Sequence, residues 1–246
     1  GCGVGPWVHI LDKLGYDIVG LDYSKEAIDI ARNFNPKLKF EQGDVNHLQH
    51  KDESFDVVLS WGVLEHFSEG LVKSLTEKNR VLGKGGYLIL GMPPRNLLRF
   101  LLQPLFKVKE KLKFNKYIRR LANLNDREKS LSLYYYSAKE LISFLEATGF
   151  SVTSITHTDH KYGLREIEEL LSIKPNQPPF LFYSKNESSG NYALNKVGKV
   201  ITNFFKNLNK GFLNYNLIIS AKKVNFVSYD KAPKFNKSFF NRNSRY

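Results

Sequence analysis

The chain has one cysteine, one methionine and two tryptophans among its 246 residues. A single thiol excludes an internal disulfide framework and any zinc site built on several cysteines, so a reducing compartment, the cytoplasm, is the expectation. No apolar run approaches the roughly 18 residues that a membrane-spanning helix needs. The first residues, GCGVGPWVHI, carry neither an initiator methionine nor a leader peptide. They are a glycine-rich loop without a strand in front of it, so the expectation is a chain cut after the first strand of a nucleotide-binding domain. Acidic residues are also scarce beyond Pro94. Gly1–Pro94 holds 10 Lys and Arg against 13 Asp and Glu, whereas the remainder holds 27 against 11, and the formal charge of +13 lies entirely in that later part. An anionic partner is expected to meet it there.

What is present is an ordinary 42% hydrophobic content, enough for a sizeable core. DIVGLD (17–22) reads as a short strand, and SKEAIDIAR after it as a helix with Ser24 as N-cap. KLKFEQGD alternates like a strand. SFDVVLSW (54–61) is apolar and β-branched enough to predict a parallel strand buried on both faces. EGLVKSLTEKNRVL predicts an amphipathic helix stopped by Gly83, followed by the strand GGYLILGMP. Strand and helix alternating four times in about 94 residues predict an α/β fold, a Rossmann-like doubly wound parallel sheet covered by helices. Further on, SAKELISFLEATGF is a helix, SVTSITHT a strand and YNLIISAKKV a last strand.

Gly1, Gly3 and Gly5 let the backbone adopt positive φ and pass close beneath a ligand. Asp22, 21 residues after Gly1 at a strand end, is placed to accept from both hydroxyls of a ribose; the plainer alternative is a turn acid ahead of Ser24. Pro6 stands where a dinucleotide fingerprint prefers Gly or Ala, which disfavours NAD. Asp44, following Gly43, is a second strand-end acid, suited to an exocyclic adenine amine.

With DVVLSWGVLEHF and RVLGKGGYLIL, this order of motifs resembles the class I S-adenosylmethionine-dependent methyltransferases, in the branch that acts on small molecules and lipids. The resemblance covers Gly1 to about Pro93 and, more loosely, Tyr134–Val152. It implies S-adenosylmethionine as cofactor, with Gly1, Cys2, Gly3 and Gly5 at its methionine end, Asp22 with Tyr23 at the ribose, Asp44 with Val45 at the adenine, and Ser60 and Trp61 lining it.

A sulfonium methyl is already activated, so such an enzyme mainly supplies orientation and desolvation. A base helps where a hydroxyl acceptor must lose its proton, and His is the usual group. His66, after Glu65 in the loop beyond the fourth motif, is the candidate; the alternative is a helix-capping His. Related quinone methyltransferases carry E-x-x-E-H as a metal site, but Gly62 replaces the first Glu here, so no metal is expected. Cys2 is expected to be a small packed thiol rather than a nucleophile.

The expected organisation is a cofactor-binding half (1–94), a basic amphipathic lid (95–133), the rest of the same domain (134–224, interrupted by a helical insertion at about 160–211) and a basic, poorly ordered tail (225–246). Leu97, Leu98, Leu101, Leu102, Leu105, Val108 and Leu112 recur at helical spacings in the first insertion; Leu194, Val197, Ile201, Phe204 and Leu208 do so in the second, beside Lys196, Lys199, Lys206 and Lys210. Either segment suits a lid or the surface of an anionic membrane, and equally a core-covering helix with a solvated face. Tyr134, Tyr135 and Tyr136 suit an acceptor pocket or sheet packing alike. The expected acceptor is a small molecule, a lipid-linked compound or a glycan. A nucleic acid is disfavoured because SWGV stands where an adenine-directed enzyme would carry Asn/Asp-Pro-Pro-Tyr/Phe. A non-catalytic, membrane-associated protein that keeps the cofactor fold is the remaining alternative.

Overall fold

Ser24 caps a helix, as its place in the sequence predicts. Its hydroxyl accepts from the Ala27 amide at 3.1 Å, satisfying one of the amides that a helix start leaves without a partner. The computed structural model describes residues 1–67, 71–114, 131–160, 164, 167, 181–185, 192–208, 210–232 and 240–244. Its elements begin with α1 (Pro6–Lys13), β1 (Val19–Asp22), α2 (Lys25–Phe34) and β2 (Lys39–Gln42). β1 and β2 pair in parallel, from Val19 opposite Lys39 to Asp22 opposite Gln42. Val8 of α1, Ile28 and Ala31 of α2 and Phe40 of β2 close a small core, with Cys2, Ile18 and Leu38 packed against it.

Next come β3 (Phe55–Trp61), a single 3-10 turn (Leu64–His66), α3 (Val72–Val81) and β4 (Leu82–Met92). α3 stops two residues before Gly83. Leu82 is already extended, fully buried and paired with Phe55, so the sheet takes the chain before the glycine is reached. The rest comprises α4 (Leu97–Phe114), β5 (Leu131–Tyr135), α5 (Ala138–Ala147), β6 (Phe150–Thr158), β7 (Tyr183–Lys185), β8 (Tyr192–Leu194), α6 (Lys196–Leu208), β9 (Asn216–Lys223) and β10 (Phe240–Ser244).

The larger sheet has the order β3-β4-β9-β6, with β3 parallel to β4. β3 is its outer strand, and Val57 is 51% exposed. The expectation of burial on both faces fails there because an outer strand is not enclosed as an inner one is.

The chain divides into two units: Gly1–Met92 with Lys139–Ile155 and Ile219–Lys237, and Pro93–Ala138 with Thr156–Ile218 and Ser238–Tyr246. Within the first, the buried Asn79 side chain donates to Thr148 O and Asn225 O, both at 3.0 Å. Lys223 Nζ donates to Leu82 O at 2.6 Å. The second unit has its own core of Leu98, Leu164, Tyr183 and Leu213, bordered by Leu102, Ile201 and Phe205 among others. Arg99 is buried there, over the rings of Tyr135 at 4.7 Å and Tyr215 at 5.1 Å. In the segment expected to be poorly ordered, Phe240–Ser244 pairs antiparallel with β5.

α6 turns only part of its apolar stripe inward, Ile201 together with Phe205. Gly198 and Thr202 are its buried residues, and Val197, Phe204 and Leu208 are exposed. A Cβ at Gly198 would lie 2.2 Å from Phe182 O. Close backbone approach at the glycine therefore sets the rotation of the helix.

Candidate functional site

The parallel register of β1 and β2 brings two acids side by side at their C-terminal ends. Asp22 closes β1, opposite Gln42, and the Gly43 amide donates to Asp22 O at 2.9 Å, so Asp44 follows one residue later beside it. The Asp22 carboxylate accepts from the Gly3 amide at 2.7 Å through Oδ2 and from the Ser24 amide at 2.9 Å through Oδ1. It thus joins the glycine loop to the start of α2. Each carboxylate oxygen keeps a further acceptor site. The loop is tied to β1 as well, by the Cys2 amide donating to Leu21 O at 2.9 Å.

Gly3 has φ +53° and open space where a Cβ would stand, while a Cβ on Gly5, φ +84°, would meet the Phe40 ring at 2.6 Å. The first glycine leaves room above the loop; the second permits the packing below it. Burial raises the Cys2 thiol pKa, and the side chain packs on the small core, so it is not an activated nucleophile. Tyr23 is 78% exposed, and its carbonyl accepts from Gln42 Nε2 at 3.2 Å.

Asp44 Oδ1 accepts from the Asn46 amide at 2.8 Å, and Val45 O faces the Ser74 hydroxyl at 3.4 Å. The loop that carries them is held by α3. Arg80 donates to Leu48 O at 2.9 Å, His50 O at 2.8 Å and Asp52 Oδ1 at 2.7 Å. Its Nε and Nη2 also reach Glu77 Oε1 and Oε2, at 3.0 and 2.9 Å. Glu77 in turn accepts from the Leu48 amide at 2.9 Å. Burial works to raise the Glu77 pKa, but the hydrogen bonds from Arg80 and Leu48 outweigh it and the pKa falls. The bonds to Glu77 are also the main reason the Arg80 pKa rises.

Between these two residues lies Lys78, 2% exposed, with Nζ 2.5 Å from Ser74 Oγ. Burial pushes its pKa down to about 7, against the opposing pull of Asp44 and Glu77. Sequence reasoning missed this group. The available signal was the E-K-N-R run, whose Glu and Arg stand three apart on a helix and can pair.

At the end of β3, Ser60 is buried, and the Trp61 and Trp7 ring centroids lie 5.8 Å apart. Gly91 is opposite Trp61 in the sheet; a Cβ there would come within 2.5 Å of the indole. Gly62, φ +66°, turns the chain into Val63, and a Cβ on Gly1 would strike Val63 Cγ2 at 2.5 Å and lie 3.8 Å from Asp22 Oδ2. Glycine loop, Asp22 and post-β3 loop therefore meet at one place. Glu65 is buried; His66 ends the 3-10 turn and its amide donates to Val63 O at 3.2 Å. Among the described residues no three His, Cys, Asp or Glu side chains form a metal-binding group.

Residues 1–90 match the family model described as a methyltransferase domain. The chain is 30% identical over 152 residues to a demethylmenaquinone methyltransferase of Chlorobaculum parvum, covering 61% of this chain and 59% of that protein. Over 92 residues, 37% of this chain and 19% of the relative, it is 34% identical to a probable tRNA methyltransferase 9B of Homo sapiens. A crystal structure of an S-adenosylmethionine-dependent methyltransferase from Methanosarcina mazei superposes with a TM-score of 0.53 at 18% identity, over 91% of this chain and 90% of that one. Residues 1–90 thus carry a methyltransferase domain, and the chain has the fold of the S-adenosylmethionine-dependent methyltransferases. It spans less than two thirds of the length of the curated relatives it matches.

The residues brought together here fit S-adenosylmethionine, the cofactor of the matching methyltransferases. Asp22 at the end of β1 and Asp44 just beyond β2 are two carboxylates side by side, acceptor groups of the kind that ribose hydroxyls and an adenine amine need. Room for the remainder lies above Gly3, where open space replaces a side chain.

Proposed function

We propose that the protein transfers a methyl group from S-adenosylmethionine to a small-molecule acceptor of the quinone, lipid-linked or glycan kind. The observation that carries this reading is the Asp22 carboxylate, fixed by the Gly3 and Ser24 amides at the strand end that meets the glycine loop. The cofactor supplies a sulfonium-activated methyl; the acceptor atom bonds to that carbon as the carbon–sulfur bond breaks, and S-adenosylhomocysteine is the second product. In this reading Asp22 and Tyr23 bind the ribose, Asp44 and Val45 the adenine, and Gly1, Cys2, Gly3 and Gly5 the methionine end. Ser60 and Trp61 line the cleft, and the His66 imidazole takes the proton that a hydroxyl acceptor releases. Orientation and exclusion of water supply the rest of the acceleration.

Support for a small acceptor comes from the quinone-methyltransferase relative and from SWGV at the end of β3, which offers no Pro-Pro-aromatic clamp for a flipped base. The second reading, methylation of RNA, is favoured by the basic later part of the chain and the shorter match to a tRNA methyltransferase.

The test is calorimetric titration of S-adenosylmethionine and S-adenosylhomocysteine into the wild type and Asp22→Ala, followed by methyl incorporation into catechol-type, isoprenoid-phenol and tRNA acceptors. Micromolar binding lost in the variant, with incorporation into a phenol, supports the proposal. Binding absent from a folded wild type overturns it, and incorporation into tRNA alone transfers it to the second reading.

A further inference from the structure

α4 carries an apolar stripe that its own unit does not cover. Leu98 and Leu102 face the core of the second unit, whereas Leu97, Phe100, Leu101, Leu105 and Val108 are all about half exposed. At 100° per residue these five span an arc of roughly 140° on one side of the helix. α6 of the same unit repeats the arrangement: Ile201 and Phe205 pack inward, while Val197, Val200, Phe204 and Leu208 stand exposed. Two helices that share one core thus present apolar, mostly aliphatic side chains outward. A monomer rarely leaves so much apolar surface without a use for it.

Charge selects the occupant. Lys107 is exposed on α4, and the stretch Lys196–Lys210 carries four lysines, all exposed, and no Asp or Glu. A second copy of the chain would bring like charges together across the contact. A nucleic acid would satisfy the charges but could stack only on Phe100 and Phe204, leaving the seven Leu and Val side chains of the two stripes unused, because single-stranded bases stack on aromatic faces. An anionic bilayer satisfies both requirements, with aliphatic groups entering the acyl boundary and lysines meeting the headgroup phosphates.

We propose that the α4 and α6 faces of the second unit dock the protein on an anionic lipid surface. The inference stands apart from methyl transfer and would hold for a protein that only bound its cofactor; if both readings are right, the acceptor is met at the membrane. No helix among the described residues is long and apolar enough to cross a bilayer, so the attachment is interfacial.

The experiment is co-sedimentation of the full chain with vesicles of phosphatidylcholine alone and of phosphatidylcholine with 30–40% phosphatidylglycerol (roughly the range in which a polybasic surface responds), at low and high salt. The variants are Leu101→Glu/Leu105→Glu on the stripe and Phe34→Glu, an exposed apolar residue of α2, as a control for added charge. Circular dichroism checks their folding, and light scattering gives the oligomeric state. The expected result is binding to the anionic vesicles alone, weakened by salt, reduced about tenfold or more in the double variant and unchanged in Phe34→Glu. No binding by the wild type, equal binding by the double variant, or a dimer that this variant dissociates would each overturn the proposal. S-adenosylmethionine affinity measured on the same samples tests the methyltransferase reading separately, so failure of one is distinguishable from failure of the other.

Discussion

Arg80 and Glu77, three residues apart on α3, meet through two hydrogen bonds of 3.0 and 2.9 Å, and together they fasten the loop that carries Asp44 and Val45. The guanidinium takes the carbonyls of Leu48 and His50, and the carboxylate takes the Leu48 amide. Each partner thus uses its remaining capacity on the same short stretch of chain.

Replacing Arg80 by Ala takes the guanidinium from those two carbonyls and leaves the Glu77 carboxylate with the Leu48 amide but without its charged partner. The expected cost is about 2–3 kcal/mol of stability, read by urea denaturation. A several-fold loss of S-adenosylmethionine affinity should accompany it, because the Asp44 loop is no longer held in place. Arg80→Lys restores charge but not the forked geometry and should recover only part of either effect.

Asp22→Asn keeps the shape of the side chain and one carbonyl acceptor but removes the charge. Cofactor affinity should fall about 10- to 100-fold, as expected for hydrogen bonds to a charged acceptor, and the melting temperature should fall by a few degrees, because the new NH2 group faces the Gly3 or Ser24 amide as donor against donor. Titration calorimetry and a thermal melt of the same sample separate the two.

Lys78 makes stability depend on pH. Its ordinary pKa of 10.5 is lowered to about 7 in the fold, so between these values the unfolded chain binds more protons than the folded one, and stability rises with pH. Below about pH 7 both states are protonated and the burial penalty is at its largest. Lys78→Met, which keeps the length and removes the charge, should raise the melting temperature at pH 7, on the order of 5 °C. The gain should shrink steadily toward pH 10.5, and a gain equal at all pH values would contradict the assignment.

Gly91→Ala places a Cβ against the Trp61 indole, a position that nothing short of moving the ring can relieve. A loss of about 1–3 kcal/mol is expected. The Trp61–Trp7 contact should change with it, visible as a shift in tryptophan emission.

His66→Gln tests the proposed base. Turnover with a hydroxyl acceptor should fall about 100-fold while the KM for S-adenosylmethionine stays near its original value. An acceptor that has no proton to lose should be methylated at the wild-type rate.

Much of the cofactor half was legible because its signals are local. Ser24 marks a helix start by its own side chain; GCGVG marks a loop by its backbone freedom; Asp22 ends a short apolar run and Asp44 an alternating one. What was missed depends on partners distant in the chain. Lys78 looks like one of several solvated cations on α3 until Ser74 and Val81 are seen to share its buried side of the unit. Arg80 gains its meaning from carbonyls about 30 positions earlier. Which side of α6 faces inward stayed open because hydrophobicity treats Val197, Ile201, Phe204 and Leu208 alike, whereas a small residue, Gly198, decides how close the backbone can come. The site residues beyond β3 were placed by resemblance, since periodicity carries no information about which strand ends converge.

The Asn79 side chain ties together carbonyls of Thr148 and Asn225, the second of them 146 positions away, and β4 has β9 as its inner neighbour in the sheet. During synthesis, the strand that carries Gly91 therefore leaves the ribosome long before the strand that covers its flank. Until then an apolar ladder lies open to other nascent chains. Folding of the first unit must wait until β9 and Asn225 have emerged, so ribosome-bound intermediates halted earlier should depend on a holdase, while the released chain should not.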